Sequence, residues 1–93
     1  MEIRVLLRRR ANETKLAAHG IAWAEVEEVV AGDRWVPASH PDYPDQVRII
    51  GPTLQGRLLT IALQGTDEVS TWRPVTGWES DHDEVMYYQY EAG

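Results

Sequence analysis

The sequence predicts an α+β domain, a small antiparallel sheet with helices packed on it, in the order β-α-α-β-β-β-α. Three observations carry this expectation. Helix-like periodicity is confined to stretches before residue 32 and after residue 80. Between them lie three strand-like runs joined by connections of about four or five residues, too short for the crossover that parallel strands require. The 93 residues match the size of one core, so residues 1–93 are expected to form a single domain.

Ile3 to Leu7 reads as a short opening strand, rich in branched residues and closed by Arg8-Arg9-Arg10, which cannot all be buried. Asn12 is a natural N-cap for a short helix from Glu13 to His19, with Gly20 just past its end. A second helix follows from about Ala24 to Ala31, where Val26, Val29 and Val30 recur at helical spacing, Glu25, Glu27 and Glu28 face away, and Gly32 is the stop. Trp35-Val36-Pro37 is a short extended piece, and the proline- and aspartate-bearing stretch from Ala38 to Gln46 is a loop. Val47 to Gly51, Arg57 to Leu63 and Val69 to Thr76 are the three strands of a meander, and Pro74, which lacks a ladder donor, marks a bulge or an edge in the last of them. Ser80 with Asp83 three residues on resembles a capping box opening a final helix, Asp81 to about Glu91. Its inner side is expected to use Val85, Met86, Tyr88 and Gln89 or Tyr90.

The charge distribution is more informative than the net −6. Residues 1–20 carry five basic and two acidic side chains, whereas residues 67–93 carry seven acids and only Arg73. A molecule of this net charge repels polyanions at long range, which argues against a general DNA or RNA binder and demands a local basic patch for any nucleic-acid chemistry. The absence of cysteine excludes disulfides, thiolate metal sites and thiol nucleophiles, and suits a reducing compartment. Val5-Leu6-Leu7 is too short for a signal-peptide core or a roughly 20-residue membrane span, so a soluble, cytoplasmic protein is expected.

Other clusters have simple structural readings. Asp81-His82-Asp83-Glu84 does not have metal-ligand spacing, because neighbours on a helix point about 100° apart and only Asp81 and Glu84 share a face. No metal and no cofactor is implied. Trp23 and Trp72 fit core positions, while Trp35 and Trp78 flank loops or strand ends and need partners for their indole N–H groups.

Two stretches then stand out together. His19-Gly20-Ile21-Ala22-Trp23-Ala24-Glu25, leading to Val29-Val30, resembles the histidine-glycine-aliphatic step, aromatic, acidic residues and apolar pair of the BrnT toxin family. Arg48-Ile49-Ile50-Gly51 followed by Gly56-Arg57-Leu58-Leu59 is similar to that family's middle strands, and Trp72 to Trp78 followed by Asp81-His82-Asp83-Glu84 occupies the place of its final strand and helix. The resemblance covers most of the chain in the right order. It implies a RelE-like fold, the toxin role in a bacterial type II toxin–antitoxin pair, a cognate antitoxin as partner, and metal-independent cleavage of RNA.

On that resemblance the catalytic candidates are His19, Arg48, Arg73 and Glu84, with Arg57, Trp78 and Tyr88 as candidates for binding substrate. Cleavage by the 2′-hydroxyl needs a base, an acid for the leaving oxygen, and positive charge on the phosphate. Arg48 and Arg73 would supply the charge if their strands present both side chains on one face, and His19 or Glu84 would move the proton. Each has an ordinary alternative: His19 as a residue closing a helix end, the arginines as partners of nearby acids. The family's basic positions are also reduced here, with Ala18 before the histidine in place of lysine, Trp78 at the end of the last strand in place of arginine, and His82 and Asp83 in place of an arginine pair. A catalytically eroded binding protein of the same fold is therefore the alternative reading, and an acidic last helix would favour a basic or mixed-charge surface on its partner.

Overall fold

The computed structural model covers residues 1–93. The elements are β1 (Val5–Leu6), α1 (Arg10–Ala18), α2 (Trp23–Gly32), β2 (Val36–Ser39), β3 (Gln46–Pro52), β4 (Leu58–Gly65), β5 (Thr71–Glu79) and α3 (His82–Ala92). The fold is α+β. Its five strands form one sheet in the order β1-β5-β4-β3-β2, antiparallel throughout except for the short parallel pairing of β1 with β5. The expected meander is β3-β4-β5, to which β2 adds a hairpin partner on one side and β1 a parallel edge on the other. The α1–α2 pair carries the chain from one edge of the sheet to the other.

Central strand β4 explains why helices occupy both faces. Leu59, Thr60, Ile61, Ala62 and Leu63 are all fully buried, so neither face of this strand meets water. Leu59, Ile61 and Leu63, with Ile49 beside them on β3, pack against Leu16 and Ile21 from the α1 region and Trp23, Val26 and Val29 from α2. Strand alternation sends Arg48, Ile50, Thr60 and Ala62 to the opposite face, where α3 lies. Burying a Leu or Ile side chain contributes roughly 1.5–3 kcal/mol, so the α1/α2 face holds most of the apolar stabilisation.

Several boundaries differ from expectation for local reasons. Helix α1 begins at Arg10, one turn's fraction earlier than Glu13, and Asn12 lies within it, with its Oδ1 accepting from Arg73. The first turn carries no side-chain cap; Arg8 instead reaches Glu13 through two hydrogen bonds. Its C-terminus does close as the sequence indicates. The Ile21 N–H reaches Leu16 O and the Gly20 N–H reaches Ala17 O, with Gly20 at φ 77°, the paired bonds of a Schellman motif whose hydrophobic contact joins two core residues. Helix α2 includes Gly32, and Asp33 takes the left-handed conformation that ends it, at φ 53°.

Strand β2 runs through Ser39 into the stretch expected to be loop, because an edge strand tolerates Pro37. Strand β5 continues to Glu79 rather than stopping at Thr76, since its partner strand pairs as far as Leu59 with Glu79. Pro74 marks a bulge, as its chemistry demands: Leu63 faces Pro74, Ala62 faces Thr76, and Val75 is the extra residue. The cap of α3 is shifted by one position from Ser80–Asp83. Asp81 Oδ1 accepts the Glu84 N–H, and Glu84 Oε1 accepts the Asp81 N–H, both at 2.9 Å, because glutamate has the extra methylene needed to reach back. The inner side of α3 is only in part the expected one: Val85 and Tyr88 are half-buried as expected, but Glu84 is its one buried residue, and Met86, Gln89 and Tyr90 face solvent.

Candidate functional site

The seven candidate residues fall into four separate places. One of these is a polar hub between the sheet and α3. Arg48 sits between Ala38 on β2 and Ala62 on β4, two small neighbours that leave room for its guanidinium over the strands. Its Nε donates to Ser39 O at 3.0 Å and its Nη1 to Glu84 Oε2 at 3.2 Å. Glu84 also accepts the Trp78 indole N–H, at 2.9 Å on Oε1, together with the Asp81 amide. A carboxylate with 6% of its side chain exposed is thus met by a cation and two neutral donors, the condition under which burying charge is tolerated.

A cleft of about 210 Å³ opens beside this hub, lined by Arg48, Ile50, Asp83, Glu84 and Tyr87. Its charge is unfavourable for a phosphate. The one guanidinium is offset by Glu84, and Asp83 adds a second acid at the wall.

Arg73 does not join Arg48. Its Nη1 donates to Asn12 Oδ1 at 3.0 Å, on α1. Leu16 of that helix lies where a β-carbon on Gly77 would meet it, on the Ile61 face of the sheet, opposite the face that carries Arg48 and α3. The expected convergence of two guanidinium tips on one phosphate is therefore absent: one is tied to each helical layer.

His19 and Arg57 occupy a third place, the α1–α2 turn. The His19 backbone N–H donates to Leu16 O and its side chain is exposed at the end of α1. Arg57 Nη1 donates to Gly20 O at 2.9 Å and to both oxygens of Glu25 at 3.0 and 3.1 Å. Glu25 in turn accepts the Ala22 N–H at 3.0 Å. That backbone amide first, and the Arg57 guanidinium second, hold the Glu25 carboxyl below the usual carboxylate range against the opposing effect of burial. This arrangement pins a turn, and no hydrogen bond joins Arg57 to His19.

Tyr88 is the fourth place. Its hydroxyl donates to Arg34 O at 2.8 Å, fastening α3 to the segment before β2, while Tyr87 donates to Pro37 O at 2.9 Å. The structure thus brings together Arg48, Glu84 and Trp78, and sets His19, Arg57, Arg73 and Tyr88 elsewhere. Asp81, Asp83 and Tyr87, which complete the hub and its cleft, were not among the candidates. The Asp-x-x-Glu spacing at residues 81 and 84 was the available signal for the first of them.

The tryptophans also separate by role. Trp23 is in the core, Trp72 packs against it and donates to Glu2 O at 3.0 Å, Trp78 serves the hub, and the buried Trp35 Nε1 has no partner. No three His, Cys, Asp or Glu side chains come together as a metal-ligating group, and no helix is long and apolar enough to cross a membrane. No protein-family model matches this chain, and no curated protein is significantly similar to it.

Proposed function

We propose that this chain is a BrnT-like domain that works by binding a protein partner, the antitoxin of a toxin–antitoxin pair on the family reading, and that it does not cleave RNA through His19, Arg48, Arg73 and Glu84. One observation carries the choice between binding and catalysis. Arg48 is engaged by Glu84 in the α3 layer while Arg73 is engaged by Asn12 in the α1 layer. A phosphate in flight between two oxygens needs uncompensated positive charge aimed at it from more than one side. Here each guanidinium already has a partner, and the net −6 of the chain opposes the approach of RNA.

The family reading draws support from the arrangement of elements. A strand leads into a helical hairpin that crosses to the far edge of the sheet, an antiparallel meander follows, and a capped helix closes the order. The order expected on the RelE-like reading, β-α-α-β-β-β-α, is kept here with one added edge strand, β2.

The test uses the purified chain with total RNA, and its overexpression in a bacterial host. Binding without catalysis predicts normal growth and no cleavage above that of an Arg48→Ala, Arg73→Ala double variant. Growth arrest accompanied by RNA cleavage that the double variant lacks would establish the nuclease instead.

A further inference from the structure

Helix α3 turns an apolar stripe toward solvent. Met86 is 53% and Tyr90 84% exposed, and their spacing of four places them one above the other on the same face. Tyr87, 39% exposed, stands beside them, with its hydroxyl tied to Pro37 O on the edge strand. Beyond it the apolar surface continues into a shallow depression whose walls include Met1, Pro37, Val47 and Trp72. Of the other exposed apolar side chains, Leu54 and Val69 stand singly on turns, Val5 lies on the edge strand β1, and Tyr43 packs edge-on against His40 in its loop.

The charge on the segment that carries this stripe has one sign, and the nearest cations from other elements are Arg48, engaged by Glu84, and Arg34 beside Tyr88 and Gln89. From Glu79 to Gly93 there are five acids and no lysine or arginine, and only Glu84 among them is neutralised, by Arg48. Glu79 and Asp81 precede the helix, and Asp83 and Glu91 stand one turn before and after Tyr87, where they flank the apolar face. An isologous contact with a second copy would bring these same acids against one another. RNA and anionic lipid would be repelled for the same reason.

We infer that the Met86–Tyr90 face of α3, with the depression beyond Tyr87, is the docking surface for a basic amphipathic segment of another protein. Apolar side chains on one side of that segment cover Met86, Tyr87 and Tyr90, and lysines or arginines along its flank meet Asp83 and Glu91. The inference deepens the binding function proposed above and rests on it. It also gives that function a location, on the solvent side of α3 beside the cleft that Asp83 and Tyr87 share with Arg48 and Glu84.

The probe is a dye-labelled synthetic Leu/Lys amphipathic helix, titrated with the full chain and read by fluorescence anisotropy. Binding that weakens on the order of tenfold or more in Met86→Ser/Tyr90→Ser is expected, since exposed aromatic anchors dominate such interfaces. Asp83→Asn/Glu91→Gln should weaken it at low salt and less at high salt, Leu54→Ser/Val69→Ser should leave it unchanged, and a Leu/Glu counterpart should not bind. Circular dichroism of each variant should match the parent, because every substituted side chain is exposed. Equal affinity in Met86→Ser/Tyr90→Ser, equal binding of the Leu/Glu peptide, or no binding of either peptide overturns the surface. Self-association of the parent in sedimentation that Met86→Ser/Tyr90→Ser abolishes overturns the occupant in favour of a second copy. RNA cleavage in the earlier test removes the proposal that the chain acts by binding without catalysis, whereas failed titration with no cleavage removes this surface alone.

Discussion

Arg48 Nη1 and Glu84 Oε2 meet at 3.2 Å across 36 positions of sequence, and this contact ties α3 to the centre of the sheet. Glu84 is the one buried residue of that helix, so an ion pair, and not an apolar seam, anchors the layer. The α1/α2 layer is built in the opposite way, on nine core hydrophobics.

Removing one member of the pair should therefore cost more than removing both. Arg48→Met leaves the Glu84 carboxylate buried without its cation. A loss of about 2 kcal/mol is expected, below the 3–5 kcal/mol of a fully buried pair because Arg48 keeps some contact with water. Arg48→Met/Glu84→Gln should lose less than Arg48→Met alone. Urea denaturation of the four proteins closes the cycle.

The Glu25 carboxyl is held below its ordinary value of 4.5 by the Ala22 amide and Arg57. Its folded-state pKa is depressed relative to the unfolded chain, so its contribution to stability is complete above about pH 4.5 and is lost as pH falls through the folded value. Glu25→Gln should flatten the decline of stability between neutral pH and the acid range. Denaturation midpoints measured at steps of pH check this, and an unchanged slope would contradict it.

Gly51 faces Trp35 so closely that an added β-carbon would lie 2.8 Å from Trp35 Cβ and 2.9 Å from its Cα. Neither backbone nor Cβ can move aside cheaply. Gly51→Ala is expected to destabilise by about 1–3 kcal/mol through overpacking. Gly56→Ala meets open space but sits at φ 83°, and the expected cost of roughly 1–2 kcal/mol comes from backbone conformation alone. Thermal unfolding compares the two, and near-UV circular dichroism should report disturbed tryptophan packing in the first variant only.

After the ion pair, two tyrosine hydroxyls tie α3 to the rest of the fold. Tyr88→Phe removes the bond to Arg34 O and Tyr87→Phe the bond to Pro37 O. Each should cost about 1 kcal/mol, and amide hydrogen exchange should accelerate across His82–Ala92 while the β4 amides stay protected.

Local chemistry was legible in particular residues. Gly20 announced the end of α1, Pro74 announced the bulge, and the valines of α2 announced which side would be buried, since each depends on neighbours within one turn or one strand pair. The α3 cap was misplaced by one residue because Ser80 has a better partner in space: its hydroxyl pairs with Thr60 at 2.9 Å. The inner side of α3 was legible at Val85 and Tyr88 but not at Glu84, because hydrophobicity does not announce a helix anchored through a carboxylate. Arg48 and Glu84 were both visible as candidates, but their partnership was not.

Composition, turn residues and periodicity by themselves determined an α+β domain, its three helices, the meander, and the acidic character of the last third. Those properties follow from backbone preferences and side-chain chemistry that act over a few residues. Only the tertiary structure decided which guanidinium meets which partner. Strand register assigns each side chain to a face, a bulge resets that assignment, and helices from distant parts of the chain supply the acceptors. Arg48 and Arg73 lie on strands of one sheet, yet the first is held by α3 and the second by α1, a division that depends on how the layers stack and is written in no short stretch of residues.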